Sequence, residues 1–149
     1  MEEGVKYEFR DCFEEALGFG EADIGSYSPL VLAYVGDTVF DLMIKSMVVN
    51  EGNRQVQKIH ERASHYVQAS AQSQMMRVIQ PLLSEEEHAV FRRGRNTKSV
   101  TPAKNQSITD YRRATGFEAL VGYLYLKKEY GRLVQLVKIG LDETESAWQ

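Results

Sequence analysis

Two stretches of this chain are apolar on nearly every helical face, yet each carries an acid in its interior. Segment 29–49 presents Leu30, Val31, Leu32, Tyr34, Val35, Val39, Phe40, Leu42, Met43, Ile44 and Met47. Segment 114–126 presents Phe117, Leu120, Val121, Tyr123, Leu124, Tyr125 and Leu126. A helix that is hydrophobic all round belongs in a domain centre or a subunit interface. Asp37 follows Gly36 in the first segment, and Glu118 lies two residues beyond Gly116 in the second. Asp41 sits one turn beyond Asp37 on the same face. A lone carboxylate is costly to bury unless it is paired, hydrogen-bonded or bound to a metal. Two arrangements meet that demand. The helices pack side by side and the acids converge on a divalent cation; Mg²⁺ fits, because it takes oxygen ligands, few carboxylates and the rest from water and phosphate. Alternatively, each acid caps a helix or pairs with an arginine from 92–95 or 112–113. Gly36 and Gly116 either permit close helix approach or are tolerated defects.

Start and stop signals divide most of the remaining chain into further helices. Ser28-Pro29 supplies an N-cap and a first-turn proline for the first apolar segment, and Gly52 ends it. In 53–67, the stripe Val56, Ile59, Ala63 and Val67 predicts an amphipathic helix. Residues 70–83 predict another, broken at Pro81. Ser84 to Glu87 is a capping box for the next helix, and 96–106 reads as a loop. Ser107 to Asp110 is a second box-like start, leading into a long helix that stops at Gly131, with a final helix after it. Alternating strand patterns are hard to find. The expected class is all-α, with six or seven helices. Residues 1–27 are expected to be an N-terminal extension, with an accessory helix near 7–17, ahead of a single domain over 28–149.

Composition narrows the function. The 149 residues carry a net charge of −3, but 91–113 hold seven basic residues against one acid, a local +6. The remainder holds 11 basic and 20 acidic residues. Arg92, Arg93, Arg95, Lys98, Lys104, Arg112 and Arg113 therefore make a candidate polyanion-facing surface on an acidic body, or else a solvated basic loop. The single cysteine, Cys12, excludes an internal disulfide and a cysteine-based zinc site. No glycine-rich phosphate loop is present, which disfavours nucleotide triphosphatases. His60, His65 and His88 lack a ligand spacing on one helix face. The acidic N-terminus lacks the order of a signal peptide, and no apolar run spans a bilayer, so a soluble cytoplasmic chain is expected.

The two acidic segments and the basic stretch between them together resemble the ribonuclease III family. LAYVGDTVFDL (32–42) is similar to its signature helix, and GFEALVGYLYL (116–126) to its second acidic helix. RGRNTKS (93–99), the TPAKN loop and YRRATGFEAL resemble the small bacterial Mini-ribonuclease III branch. The resemblance covers about residues 28–140. It implies an all-helical, dimeric ribonuclease III catalytic domain without room for a double-stranded-RNA-binding domain. It also implies an endoribonuclease that cleaves double-stranded RNA with Mg²⁺, Mn²⁺ being a substitute. Carried across position by position, the catalytic and metal-ligating acids fall on Asp37 and Glu118, with Asp41 and Thr115 as candidate assistants. The family's other carboxylates are replaced by Leu30, Ala33 and Thr115, losses typical of the branch. RNA contact then falls to the seven basic residues of 92–113. The branch further implies maturation of 23S ribosomal RNA precursor ends, with a ribosomal protein as a candidate partner. The same three replacements motivate an alternative: a non-catalytic helical RNA-binding or ribosome-assembly factor on this fold. A helical dimerisation module without an RNA role would leave the basic segment unexplained.

Overall fold

The computed structural model describes residues 8–97 and 107–148. Within them lie seven α-helices and no strand, as the patterning predicts. They are α1 (Phe9–Ala16), α2 (Pro29–Asn50), α3 (Val56–Val67), α4 (Ala69–Ile79), α5 (Glu85–Arg95), α6 (Ile108–Leu126) and α7 (Tyr130–Trp148), with 3₁₀ turns at Ile24–Ser26 and Gln80–Leu82.

The local signals act where expected. Ser28 Oγ accepts from the Val31 amide at 3.3 Å, with Pro29 in the first turn of α2. Ser84 and Glu87 form a reciprocal capping box at the start of α5, with bonds of 3.1 and 2.8 Å. α5 also keeps its acids in the first turn and Arg92, Arg93 and Arg95 in the last, which complements the helix dipole. Pro81 has no amide proton to continue α4, so the chain tightens into a 3₁₀ turn after Ile79.

One boundary differs from the sequence reading. α6 stops at Leu126, and Gly131 lies inside the first turn of α7. The break is made by Lys128 in the left-handed conformation, at φ 60°. The Lys128 amide bonds the Tyr125 carbonyl and the Glu129 amide bonds the Leu124 carbonyl, the paired bonds of a Schellman stop. Lys128 accepts the strained position while its ammonium reaches Asp11 and Glu14 of α1, both at 3.3 Å. Arg10 adds bonds to the terminal carbonyls of α6, at Tyr125 and, at 3.1 Å, Leu126. Thus α1 forms within the N-terminal extension and docks as a cap on α6.

α6 is the central helix, packed against α2, α4, α5 and α7. Phe40, Ile44, Phe117, Leu120, Leu124 and Phe91 are fully enclosed in the core it organises. Both glycines singled out in the sequence are close-approach positions. A Cβ on Gly36 would stand 1.8 Å from the Glu118 carbonyl oxygen, and one on Gly122 would stand 1.9 Å from the Leu32 carbonyl oxygen. So α2 and α6 cross backbone to backbone. On the other side, a Cβ on Gly116 would meet the Phe91 ring at 2.6 Å, and one on Gly94 would meet Gly116 Cα at 2.9 Å. Gly94 and Gly122 were not legible as contact glycines from the sequence.

α2 is not buried all round. Leu32, Ala33, Gly36, Phe40, Ile44 and Val48 face the core, while Tyr34, Leu42 and Val49 remain exposed. With Phe9, Phe13 and Phe19 of the N-terminal segment, part of this outer face lines a groove of about 520 Å³.

Candidate active site

The crossing glycines decide where the acids go. Gly36 rests on the backbone of Glu118, so Asp37, the next residue of α2, emerges beside the Glu118 side chain. The two carboxyl groups are within hydrogen-bonding reach of each other. Asp37 faces solvent, whereas Glu118 is only partly exposed, between α2, α6 and α4. Burial pushes the Glu118 carboxyl up to about 8, and the hydrogen bond and charge of Asp37 push in the same direction. Without a cation, Glu118 therefore holds its proton at neutral pH.

A third residue completes the cluster. Gln72 on α4 is 2% exposed, bonds the Glu118 carboxyl and thereby offsets part of its pKa rise. Its Nε2 also donates to the Val67 carbonyl at 3.2 Å, which ties the amide to the α3–α4 corner. The sequence reading missed Gln72. The available signal was its register: it occupies the position from which Met75, Met76 and Ile79 continue the buried stripe.

The candidate assistants are each one turn from an acid of the pair but are engaged elsewhere. Asp41 forms an i,i+4 ion pair with Lys45 at 2.9 Å. Thr115 is 8% exposed, and its hydroxyl turns back to donate to the Tyr111 carbonyl at 3.0 Å.

The arginines of 92–95 and 112–113 do not pair with the acids. Among the described residues, the groups acting on Glu118 are Asp37 and Gln72, with no arginine or lysine between them. Arg93 instead donates to the Tyr27 carbonyl at 3.2 Å, Arg95 lies 5.3 Å over the Phe91 ring, and Arg113 donates to Ser73 Oγ at 3.0 Å. Arg92 and Arg112 point to solvent. Lys98 and Lys104 lie outside the described residues.

The donor set suits a hard divalent cation. Two adjacent carboxylates with no countercharge among the described residues are a small all-oxygen site, and a bound dication would replace the Glu118 proton. Among the described residues no cluster of three or more His, Cys, Asp or Glu forms a fuller cage. Two carboxylates with water and phosphate filling the other positions is the ligation Mg²⁺ prefers. Among the described residues no helix is long and apolar enough to cross a membrane.

Comparison with known proteins identifies the family. Residues 30–129 match the ribonuclease III domain. The chain is 46% identical over 132 residues to the Mini-ribonuclease 3 of Clostridium tetani, covering 88% of this chain and 87% of that protein. It is 46% identical over 120 residues to the Mini-ribonuclease 3 of a Thermoanaerobacter species, covering 80% and 84%. A crystal structure of a Fusobacterium nucleatum protein superposes with a TM-score of 0.74 at 28% identity, covering 80% of this chain and 97% of that one. The matched region begins within α2 and ends just past α6, and so takes in both acidic helices and the basic segment between them. The chain belongs to the ribonuclease III family, on its Mini-ribonuclease 3 branch.

Proposed function

We propose that this endoribonuclease cleaves double-stranded RNA at a metal site made by Asp37 and Glu118. The observation that carries the reading is their convergence across the Gly36–Gly122 crossing, 81 positions apart in the chain, with no cation among the described residues to neutralise them. Mg²⁺, or Mn²⁺ in its place, supplies positive charge for the reacting phosphate and lowers the pKa of an attacking water. Asp37, on the solvent side, faces the incoming strand. Glu118 must shed its proton to act as a ligand, and Gln72 favours the charged form by bonding it. Asp41 and Thr115 hold assisting places at most, engaged as they are by Lys45 and the Tyr111 carbonyl.

Arg92, Arg93, Arg95, Arg112 and Arg113 bring positive charge from the end of α5 and the start of α6, and Lys98 and Lys104 extend the same basic segment. Their task is to hold phosphates, because the deep major groove of A-form RNA cannot be read by side chains. The catalytic unit takes in residues 28–149, with α1 as an accessory cap. A second copy occupies the outer face of α2, where Tyr34 is 80% and Phe9 75% exposed beside the groove. A two-fold dimer presents two acid pairs to one duplex, one for each strand. The natural substrate in this reading is the ends of a 23S ribosomal RNA precursor in the cytoplasm, held in a ribosomal particle where a ribosomal protein is a partner.

A long RNA duplex incubated with the protein tests this, with Mg²⁺ and with excess chelator. Metal-dependent fragments are expected, and none from Asp37→Asn, which should still dimerise and retain the duplex. Normal cleavage by that variant removes Asp37 from the mechanism. The other reading, a non-catalytic RNA-binding factor, is favoured by the inward turn of the Thr115 hydroxyl at a family acid position. Duplex retention without fragments at any Mg²⁺ or Mn²⁺ concentration would establish it.

A further inference from the structure

The arginines of the basic segment are not equivalent. Arg95, Arg112 and Arg113, with Asn96 and Thr109, line a cleft of about 190 Å³ between the end of α5 and the start of α6. That is room for about six water volumes. Arg77, in the last turn of α4, adds a fourth guanidinium close by. Burial pulls the pKa of Arg113 below its ordinary value, and the charges of Arg77 and Arg95 add to the effect against Asp110 alone. Asp110 is already engaged, accepting from Ser73 Oγ at 2.7 Å, and Arg113 Nη1 donates to that same oxygen at 3.0 Å. Arg113 Nε is buried without a partner.

A buried, unpaired guanidinium donor in a cluster of like charges is doubly unfavourable. An oxyanion in the cleft resolves both problems, since it accepts from Nε and offsets the mutual repulsion. We propose that this cleft is a fixed subsite for one backbone phosphate of the duplex, separate from the phosphate that reacts at Asp37 and Glu118. The proposal rests on the nuclease reading and deepens it. Arg113 and Glu118 share α6, five residues or about 7.5 Å apart along its axis. Ser73, which braces Arg113, adjoins Gln72, which holds Glu118. A phosphate seated in the cleft therefore sets the register of its strand against the acid pair, as backbone contacts do. Arg77 lies outside the basic segment of the sequence and acts here as a positioning residue.

The test has two arms on the full chain. In the first, without RNA or metal, thermal midpoints are followed as inorganic phosphate replaces chloride at constant ionic strength. A saturable rise is expected for the parent chain, reduced in Arg77→Gln and absent in Arg113→Lys, which keeps the charge and loses the fork. In the second, duplex cleavage is measured with Mg²⁺. Both variants should lower kcat at saturating RNA by about tenfold or more, and Arg77→Gln, which removes a charge, should reduce the salt slope by about one. Arg54→Gln, in a surface pair with Glu51, serves as the unaffected control. If phosphate and chloride act alike on the parent chain, the subsite does not exist, whatever the cleavage rates. If phosphate binds but both variants cleave with unchanged kcat and salt slope, the cleft is a free-anion site and the register proposal fails. Phosphate binding by a parent chain that never cuts duplex RNA would refute the nuclease reading, and the register proposal with it, while leaving an anion site.

Discussion

Replacing Gly36 by alanine should both destabilise the protein and disable it. In an exposed helix interior this exchange gains about 1 kcal/mol of helix propensity. Here the new Cβ would stand 1.8 Å from the Glu118 carbonyl oxygen, whereas ordinary contact begins near 3.4 Å. The backbones of α2 and α6 must then part by about 1.5 Å, which also loosens contacts made by Leu32, Phe40 and Phe117. The obstacle is backbone, so no rotamer change relieves it. Overpacking of this kind costs about 3 kcal/mol or more, which leaves a net loss of about 2 kcal/mol. For a chain of this size that lowers the melting midpoint by about 5–8 °C. Activity should fall further than stability, because the same separation draws Asp37 away from Glu118. A displacement of about 1 Å at reacting groups costs on the order of 100-fold. Gly131→Ala is the matched control: its Cβ would meet nothing within 4 Å, and α7 should gain slightly. Thermal unfolding and duplex cleavage at 25 °C, where both variants remain folded, give the comparison. A Gly36→Ala protein that melts and cleaves like its parent would refute the backbone crossing as the device that assembles the site.

The remaining predictions concern charge. Glu118 keeps its proton up to about pH 8 when folded but only to its ordinary 4.5 when unfolded. The folded state thus holds more protons between those values, and in chelator its stability should fall as pH rises through that window. Glu118→Gln should flatten this dependence and gain about 2–5 kcal/mol near pH 8.5 while abolishing cleavage. Mg²⁺ should restore stability to the parent and not to the variant; an unchanged pH profile in the variant would assign the slope elsewhere. Arg132 donates twice to the nearly buried Glu87 carboxylate, both bonds at 2.8 Å, and holds its pKa below the usual range, together with the Ser84 amide. Arg132→Met should cost about 2 kcal/mol at pH 7 in urea unfolding, and the loss should fade as pH falls below the ordinary glutamate value. Arg10→Ala removes the bonds from α1 to the end of α6. Amide exchange in α1 should quicken while that of the α6 core is unchanged.

Much of this protein was legible in its sequence because the signals are local. Ser28-Pro29, the Ser84 capping box and the chain-breaking effect of Pro81 act through neighbours within a turn, so the helices could be placed without knowledge of the fold. The candidate acids were legible for a related reason. A carboxylate inside an all-apolar helix needs a partner wherever that helix packs; Asp41 finds Lys45 a turn away, whereas Asp37 and Glu118 must look to another helix. Tertiary structure decided what pattern cannot encode. Gly94 and Gly122 look like ordinary helical glycines until a second backbone lies against them. Gln72 looks like a residue for solvent until α4 turns it toward Glu118. The stop at Lys128, rather than at Gly131, is a left-handed lysine closed by two backbone bonds, which no sequence pattern marks. The outer face of α2 reads as core by hydropathy, but only packing shows that the described residues leave it uncovered. Contacts between residues far apart in sequence carry no periodicity of their own, and it is those contacts that bring the two acids together.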